Sequence, residues 1–312
     1  MKKNILITGG SGFLGTHLCS KLLSSNNQII CVDNFHSSSR SNIEKFKEKS
    51  NFTFIEQDVC NLDIDIKIDQ IYNLACPASP IHYQLDPVKT IQTNVLGSIN
   101  VLKLARKNKA KILQASTSEV YGDPTSSPQK ENYWGNVNPI GVRACYDEGK
   151  RAAETLFFDY HRQYNQKIKV CRIFNTYGPN MAKNDGRVIS NFIVQALTNQ
   201  DLSIYGDGSQ TRSFCYVDDL INGLISVMNM DNQFTGPINL GNDTELSILE
   251  IANRIIKLTN STSSIKKIES LPDDPFQRKP DLSLAKKVIG WNPKFDINEG
   301  LTLTIDYFRR IL

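Results

Sequence analysis

The chain has 312 residues, 40% of them hydrophobic and 22% charged, with a formal net charge of +4 at pH 7. That length buries a substantial core in one large domain or two packed ones, and the composition excludes a disordered or fibrous class. The basic excess is spread along the chain, and its densest stretch, Lys103 to Lys111, reads as the solvated end of a helix. No basic block is interleaved with aromatics, so a nucleic-acid groove is excluded, while an anionic small molecule fits.

The N-terminus runs straight into a strand-like segment without a signal-peptide pattern, and no apolar run approaches the roughly 20 residues that span a bilayer. No membrane association is expected. Cys19, Cys31, Cys60, Cys76, Cys145, Cys171 and Cys215 are odd in number and never form a Cys-x-x-Cys pair. His17, His36, His82 and His161 lack ligand spacing. These patterns predict reduced thiols in a cytoplasmic setting, no metal site and no disulfide framework.

Short β-rich runs alternate with helical patterns through the first half, as in parallel strands joined by crossover helices. Strands are predicted at Asn4–Thr8, Gln28–Asp33, Phe52–Glu56, 70–75, 111–116 and 169–174. Several are apolar without alternation, the pattern of a sheet covered on both faces. Helical spacing of apolar residues marks 13–24, 88–107 and 146–164. After about Thr176 the rhythm breaks into turn-rich connections around 175–186, 205–211 and 271–280, where a small second domain or lid is usually built. A helix at 218–230 returns to the first domain. The expected architecture is α/β: a doubly wound, Rossmann-like parallel sheet with a smaller C-terminal substrate-binding domain. Residues 1–175, rejoined by 213–238, form the first unit, and 176–212 with 239–312 form the second.

Gly9, Gly12 and Gly15 follow the first strand and open the first helix. Gly9 permits a tight turn, Gly12 lets backbone approach a pyrophosphate, and Gly15 allows close packing of helix on strand, with the helix N-terminus facing the phosphates. Asp33 ends the second strand about 20 residues on, where a carboxylate accepts hydrogen bonds from a ribose diol. Its charge would repel a 2′-phosphate, which favours NAD over NADP, although Arg40 stands several residues beyond. Asp58 and Val59, past the third strand, are placed for an adenine contact, the alternative for Asp58 being a solvated loop carboxylate.

Tyr146 and Lys150, four residues apart at the start of a predicted helix, project from one face. A neighbouring ammonium and a ribose favour the phenolate, so that tyrosine removes a hydroxyl proton near neutral pH. Thr117, Ser118 and Glu119 fall at the C-terminal end of a central strand, the edge where open α/β sheets bind ligands. Thr117 is suited to donate or relay a proton, and Glu119 to act as acid or base on a neighbouring carbon, with a turn carboxylate as the plain alternative.

With those residues assembled, the chain resembles the extended short-chain dehydrogenase/reductase family of nucleotide-sugar enzymes over nearly its full length. The segments that carry the resemblance are the glycine turn, Asn73 to Pro80, Ser116 to Pro124, Gly141 to Lys150, Arg172 to Pro179, Gln210 to Phe214 and Asp273 to Asp281. Within the family it is similar to the branch that decarboxylates UDP-glucuronate. The resemblance implies bound NAD, a UDP-sugar substrate and a homodimer through the 88–107 and 146–164 helices. It implies oxidation at the sugar C4 by Tyr146 and Lys150, loss of the C6 carboxylate as CO2, and hydride return to give UDP-xylose. Arg212 then positions the carboxylate, and Glu119 with Ser118 assists decarboxylation or reprotonation.

Further cofactor contacts implied are Phe13, Leu14, Asn34, Leu74 and Ala75. Implied substrate contacts are Pro77, Tyr83, Asn175, Arg187, Val188, Tyr205, Gln210 and Arg278. A 4,6-dehydratase carries Thr-Asp-Glu where this chain has Thr117-Ser118-Glu119, and serine is too weak an acid to protonate a leaving hydroxyl. A 4-epimerase needs neither Glu119 nor Arg212. A non-catalytic NAD-sensing subunit predicts damage to the Tyr-Lys pair or the glycine turn, and both are intact.

Overall fold

The computed structural model describes residues 2–269 and 277–312; the Asp273-Asp274-Pro275 segment of the resemblance lies outside them. Seven parallel strands make the central sheet: β1 (Asn4–Thr8), β2 (Gln28–Asp33), β3 (Phe52–Glu56), β4 (Gln70–Asn73), β5 (Lys111–Thr117), β6 (Ile168–Ile173) and β7 (Ile238–Leu240). Their spatial order is β7-β6-β5-β4-β1-β2-β3, so the chain switches direction across the sheet between β1 and β4. Ligands of such sheets bind outside the strand C-termini at this switch point.

Alternation along the strands explains why the sheet is covered on both faces. Ile5, Ile7, Ile29 and Cys31 enter one apolar cluster, with Leu18 and Leu22 of α1 (Phe13–Leu23). Leu6, Ile30, Val32 and Ile71 enter the other, with Val101, Leu102 and Ala105. Each such side chain taken from water contributes about 1.5–3 kcal/mol, so both registers of β1 and β2 are pinned.

The predicted 88–107 helix is longer and interrupted. A short α2 (Pro80–Leu85) precedes α3 (Pro87–Gln92), whose first turn has Pro87 and whose cap is Asp86, accepting from Lys89 N at 3.0 Å. One π-helical turn, Thr93–Gly97, then leads into α4 (Ser98–Asn108). At Gly97 an added Cβ would sit 2.7 Å from Val59 Cγ1, so the turn lets this helix lie close to the loop after β3. Strands β4 and β6 end at Asn73 and Ile173, short of the predicted 75 and 174, because the chain there bends into the site. The three-residue β7 is too short to announce itself in sequence.

Helix α5 (Ala144–Tyr164) is fastened to the sheet by a buried network. Arg172 of β6 donates from Nε and Nη2 to the two oxygens of Glu154, at 3.0 and 2.8 Å, and Ser116 Oγ donates to the same carboxylate at 2.5 Å. A buried charge with both oxygens engaged is tolerated, and breaking it is costly. Beyond the sheet lie α6 (Val188–Leu197), α7 (Val217–Asn229), α8 (Ile248–Thr259) and α9 (Ile297–Ile311). Helix α7 packs on β5, β6 and α1. A small sheet sets strand Thr211–Ser213 antiparallel to Glu245–Ser247 and parallel to Gln277–Arg278, with Arg278 in register with Arg212. No helix among the described residues is long and apolar enough to cross a membrane.

Candidate active site

One cleft of about 980 Å3 opens along the strand C-termini, and every site residue predicted from sequence lines it. Its two ends are built differently. At the first end, the turn after β1 carries Gly9 at φ +67°, where an added Cβ would lie 2.9 Å from Ala75 N. At Gly15 that atom would be 2.2 Å from the Gly9 carbonyl oxygen, so α1 can start against the turn only with glycine there. Gly12 is the cap residue of α1, where an added Cβ would lie 3.2 Å from the Gly9 carbonyl oxygen, and it lines the cleft with Phe13 and Leu14.

Asp33 organises the neighbouring loop. Its Oδ2 accepts from Ser11 N at 3.0 Å, and its Oδ1 accepts from Phe35 N at 2.9 Å and Ser38 Oγ at 3.0 Å. An ionised carboxylate has about four acceptor sites, so capacity for a ribose diol remains. Arg40 is committed elsewhere, to Glu56 at 2.5 Å and over the Phe35 ring. Asp58 caps a short turn by accepting from Cys60 N at 2.8 Å, accepts from Asn34 Nδ2 at 3.0 Å, and pairs with Lys89 at 2.6 Å. Burial pushes its carboxyl up, but Lys89 and the cap hold it below its ordinary value. Asp58 is therefore a structural anchor at the cleft edge as well as a lining residue, with Val59, Leu74 and Ala75 beside it. A glycine cradle facing a helix N-terminus, an acidic strand end and no cation free for a 2′-phosphate at Arg40 together fit NAD.

At mid-cleft, Lys150 Nζ donates to the Ala115 carbonyl at 2.9 Å and lies 5.7 Å from the centroid of the Tyr146 ring. Burial lowers its pKa. The phenol of Tyr146, stacked on Tyr83 with ring centroids 4.9 Å apart, is raised well above its ordinary pKa by burial, against a hydrogen bond with Thr117 that lowers it. The expected downward pull of the Lys150 ammonium is not met in the chain by itself, because that ammonium is turned to a backbone carbonyl.

The other end gathers charge from four distant segments. Glu119 Oε2 accepts from Arg143 Nη2 at 2.6 Å and from Arg278 Nη2 at 3.1 Å, while Arg278 Nη1 donates to the Ser118 carbonyl. Burial raises the Glu119 carboxyl, but Arg278, Arg143 and Arg212 outweigh it and hold it at about 2. Arg212 is anchored by donating to the Thr211 carbonyl at 2.9 Å. Arg187 makes a two-pronged pair with Asp185, at 2.5 and 2.7 Å, as the cap residue of α6, next to Val188. Pro77, Asn175, Tyr205 and Gln210 complete the walls, with Gln210 Nε2 donating to the Tyr205 carbonyl at 2.7 Å.

Sequence reasoning passed over Arg143, Asp147 and Lys89. A lone arginine before a helix reads as a surface cation, and nothing in local spacing links it to Glu119, 24 residues away.

A doubly wound sheet with this glycine turn, a buried Tyr-Lys pair and a cationic far end defines a dinucleotide-dependent enzyme of small anionic substrates. Residues 6–304 match the family described as GDP-mannose 4,6 dehydratase, and the chain belongs to this extended short-chain dehydrogenase/reductase family. UDP-glucuronic acid decarboxylase 5 of Arabidopsis thaliana is 54% identical, over 98% of this chain and 89% of that protein. UDP-glucuronic acid decarboxylase 1 of Danio rerio is 51% identical, over 100% of this chain and 74% of that one. Among solved structures, the UDP-glucuronic acid 4-epimerase of Bacillus cereus in complex with UDP-glucuronic acid and NAD is 29% identical. Its TM-score is 0.90, over 99% of this chain and 100% of that one.

Proposed function

We propose that this chain converts UDP-glucuronate to UDP-xylose and CO2 with NAD as its resident cofactor. The observation that carries the reading is the ionised Glu119 carboxylate among the Arg143, Arg212 and Arg278 guanidiniums, on the same strand end as Thr117 and the Tyr146 phenol. Redox at C4 by itself calls for neither Glu119 nor Arg212, and 54% identity to UDP-glucuronic acid decarboxylase 5, against 29% to the UDP-glucuronic acid 4-epimerase, favours the branch that goes on to lose the carboxylate.

Gly9, Gly12, Phe13, Leu14 and Gly15 hold the pyrophosphate, Asp33 and Asn34 the adenosine ribose, and Asp58, Val59, Leu74 and Ala75 the surrounding walls. Bound there, NAD+ would supply a reversible hydride acceptor for C4, and its positive charge would oppose the upward push that burial gives the phenol. Tyr146 takes the C4 hydroxyl proton, relayed by Thr117, and gives it back at the last step. Lys150, fixed by the Ala115 carbonyl, orients the nicotinamide ribose. Once C4 is a ketone, the C6 carboxylate stands β to it and leaves as CO2, its electron pair passing into an enolate. Arg212 turns the carboxylate out of the sugar plane; tight ground-state binding would slow its loss, so the benefit is orientation. Ser118 and Glu119 serve the decarboxylation and reprotonation steps. Pro77, Tyr83, Asn175, Arg187, Val188, Tyr205, Gln210 and Arg278 enclose the UDP-sugar.

The same reading divides the chain into an NAD-binding unit, 1–175 with 213–238, and a nucleotide-sugar unit, 176–212 with 239–312, supported by α7 packing on the sheet. Exposed Val88, Ile91, Leu96 and Tyr164 support a homodimer through the 88–107 and 146–164 helices. Seven unbridged cysteines support a reducing, cytoplasmic setting. Purified protein mixed with UDP-glucuronate should release CO2 and form UDP-xylose. C4 inversion without CO2 would overturn the decarboxylation, and NAD binding without turnover would favour a sensor.

A further inference from the structure

Proton accounting leaves one step of the proposed reaction without a source. Tyr146 takes one proton when C4 is oxidised and returns it when C4 is reduced, so its ledger closes. Loss of CO2 leaves an electron pair at C5 that needs a further proton, and each turnover consumes one. Glu119 is the carboxyl assigned to that step, yet the guanidiniums of Arg143 and Arg278 on its Oε2 keep it ionised at neutral pH.

Behind it lies a feature the catalytic residues do not use. Asp147, one residue after the catalytic tyrosine, is only 7% exposed, and its Oδ1 has no hydrogen-bond partner. Its Oδ2 stands 3.9 Å from Arg143 Nε, on the same guanidinium that holds Glu119 at 2.6 Å. The Tyr83 hydroxyl, stacked against Tyr146 by its ring, is likewise buried without a partner. Buried polar groups in native proteins are nearly all paired, so two orphans flanking one arginine call for an occupant in another state of the site.

We propose that Asp147 is the second seat of the Arg143 guanidinium, and that its move from Glu119 to Asp147 leaves Glu119 carrying the proton delivered to C5. This rests on the decarboxylation reading above. Charges balance: ionised Glu119, Arg143 and neutral Asp147 become neutral Glu119, Arg143 and ionised Asp147, one proton passing from Asp147 to Glu119 as the cation passes the other way. Protonation of the enolate at C5 then returns Glu119 to its ionised form, and solvent restores the Asp147 proton.

The electrostatics agree with that geometry. The groups facing Asp147 are Glu119, Arg143, Arg278, Glu148, Tyr83 and Cys145. Burial, then the Glu119 charge, push its carboxyl up to about 7 against the two arginines, so it holds a proton to give. When Arg143 leaves, Glu119 Oε2 loses its shorter contact, 2.6 Å, and keeps Arg278 at 3.1 Å, so the carboxyl rises.

The test is a single turnover of holoenzyme with UDP-glucuronate, following the absorbance of reduced nicotinamide and the CO2 released. In Asp147→Asn, reduced nicotinamide should form at the wild-type rate but disappear about 10²-fold more slowly, the scale of a lost acid. The wild-type decay should fall above about pH 7, and that limb should be missing in Asp147→Asn and regained in Asp147→Glu. A merely structural aspartate would not move the limb. An Asp147→Asn decay equal to wild type, with the same limb, overturns the exchange. If the variant does not fold, a structure of the wild-type enzyme with UDP-glucuronate decides: Arg143 within hydrogen-bond distance of Asp147 Oδ1 supports the proposal, and Arg143 unmoved with Oδ1 still orphaned overturns it. A wild-type enzyme that releases no CO2 removes the decarboxylation reading itself, whereas an active wild type with an unaltered variant removes only the exchange.

Discussion

The two ends of the cleft are held by different forces. At the cofactor end, contacts are short and mostly backbone: a glycine turn, a helix N-terminus and an aspartate whose oxygens are met by Ser11 N and Phe35 N. At the carboxylate end, Glu119 is held by Arg143 and Arg278, cations 24 and 159 residues away in sequence. The first end is a rigid cradle common to many chemistries. The second is a charge cluster built by side chains rather than backbone, and on the proposed reading it is this end that decides what becomes of the 4-keto sugar.

Variants at the two ends should therefore fail in different ways. The largest effect belongs to the residue both ends share: Tyr146→Phe should cut CO2 release by about 10³-fold and suppress formation of reduced nicotinamide with it, since no proton acceptor remains at C4. Glu119→Gln should slow product formation by about 10²-fold while reduced nicotinamide still forms, read in one stopped-flow trace. If both signals fell together, the division of labour between the ends would be wrong.

Gly15→Ala tests the cradle. A Cβ 2.2 Å from the Gly9 carbonyl must displace backbone, which should cost about 1–3 kcal/mol of stability, seen as a lower melting temperature, and weaken NAD binding in calorimetry. Affinity for the UDP-sugar should change far less.

A further contrast lies in stability against pH. In the fold Asp147 keeps its proton up to about 7, while an unfolded aspartate ionises near 4. Between those values the folded chain binds more protons than the unfolded one, so this group makes stability fall as pH rises through that window. Asparagine cannot contribute that loss. Asp147→Asn should match wild type near pH 4 and be more stable above pH 7, by about 4 kcal/mol for a displacement of about three pH units, in denaturant melts at both values. A variant less stable than wild type at high pH would show that the fold favours the ionised form of Asp147 instead of opposing it.

The same contrast sets what was readable from the chain alone. Strands β1, β2 and β3 have their predicted bounds, because continuous apolar runs between turn residues leave little freedom. The glycine turn and Asp33 were legible from local spacing, and Tyr146 and Lys150 from spacing joined to the hydroxyl and carboxylate run Ser116 to Glu119 at a strand end. The π turn at Thr93–Gly97 was not, being a response to Val59 packing from another loop. Nor was β7, whose three residues are strand only because β6 lies beside them. Arg143 and Asp147 escaped because their roles exist only once Glu119 is folded over α5. The resemblance led to the carboxylate end; its internal wiring required coordinates.

The most direct test of the central claim is to supply UDP-glucuronate labelled with deuterium at C4 and analyse the product by mass spectrometry and NMR. Oxidation and return of the same hydride predict UDP-xylose that keeps deuterium at C4, gains one solvent hydrogen at C5, and forms with an equal amount of CO2. Labelled UDP-sugar that keeps its carboxylate and emerges inverted at C4 would contradict it.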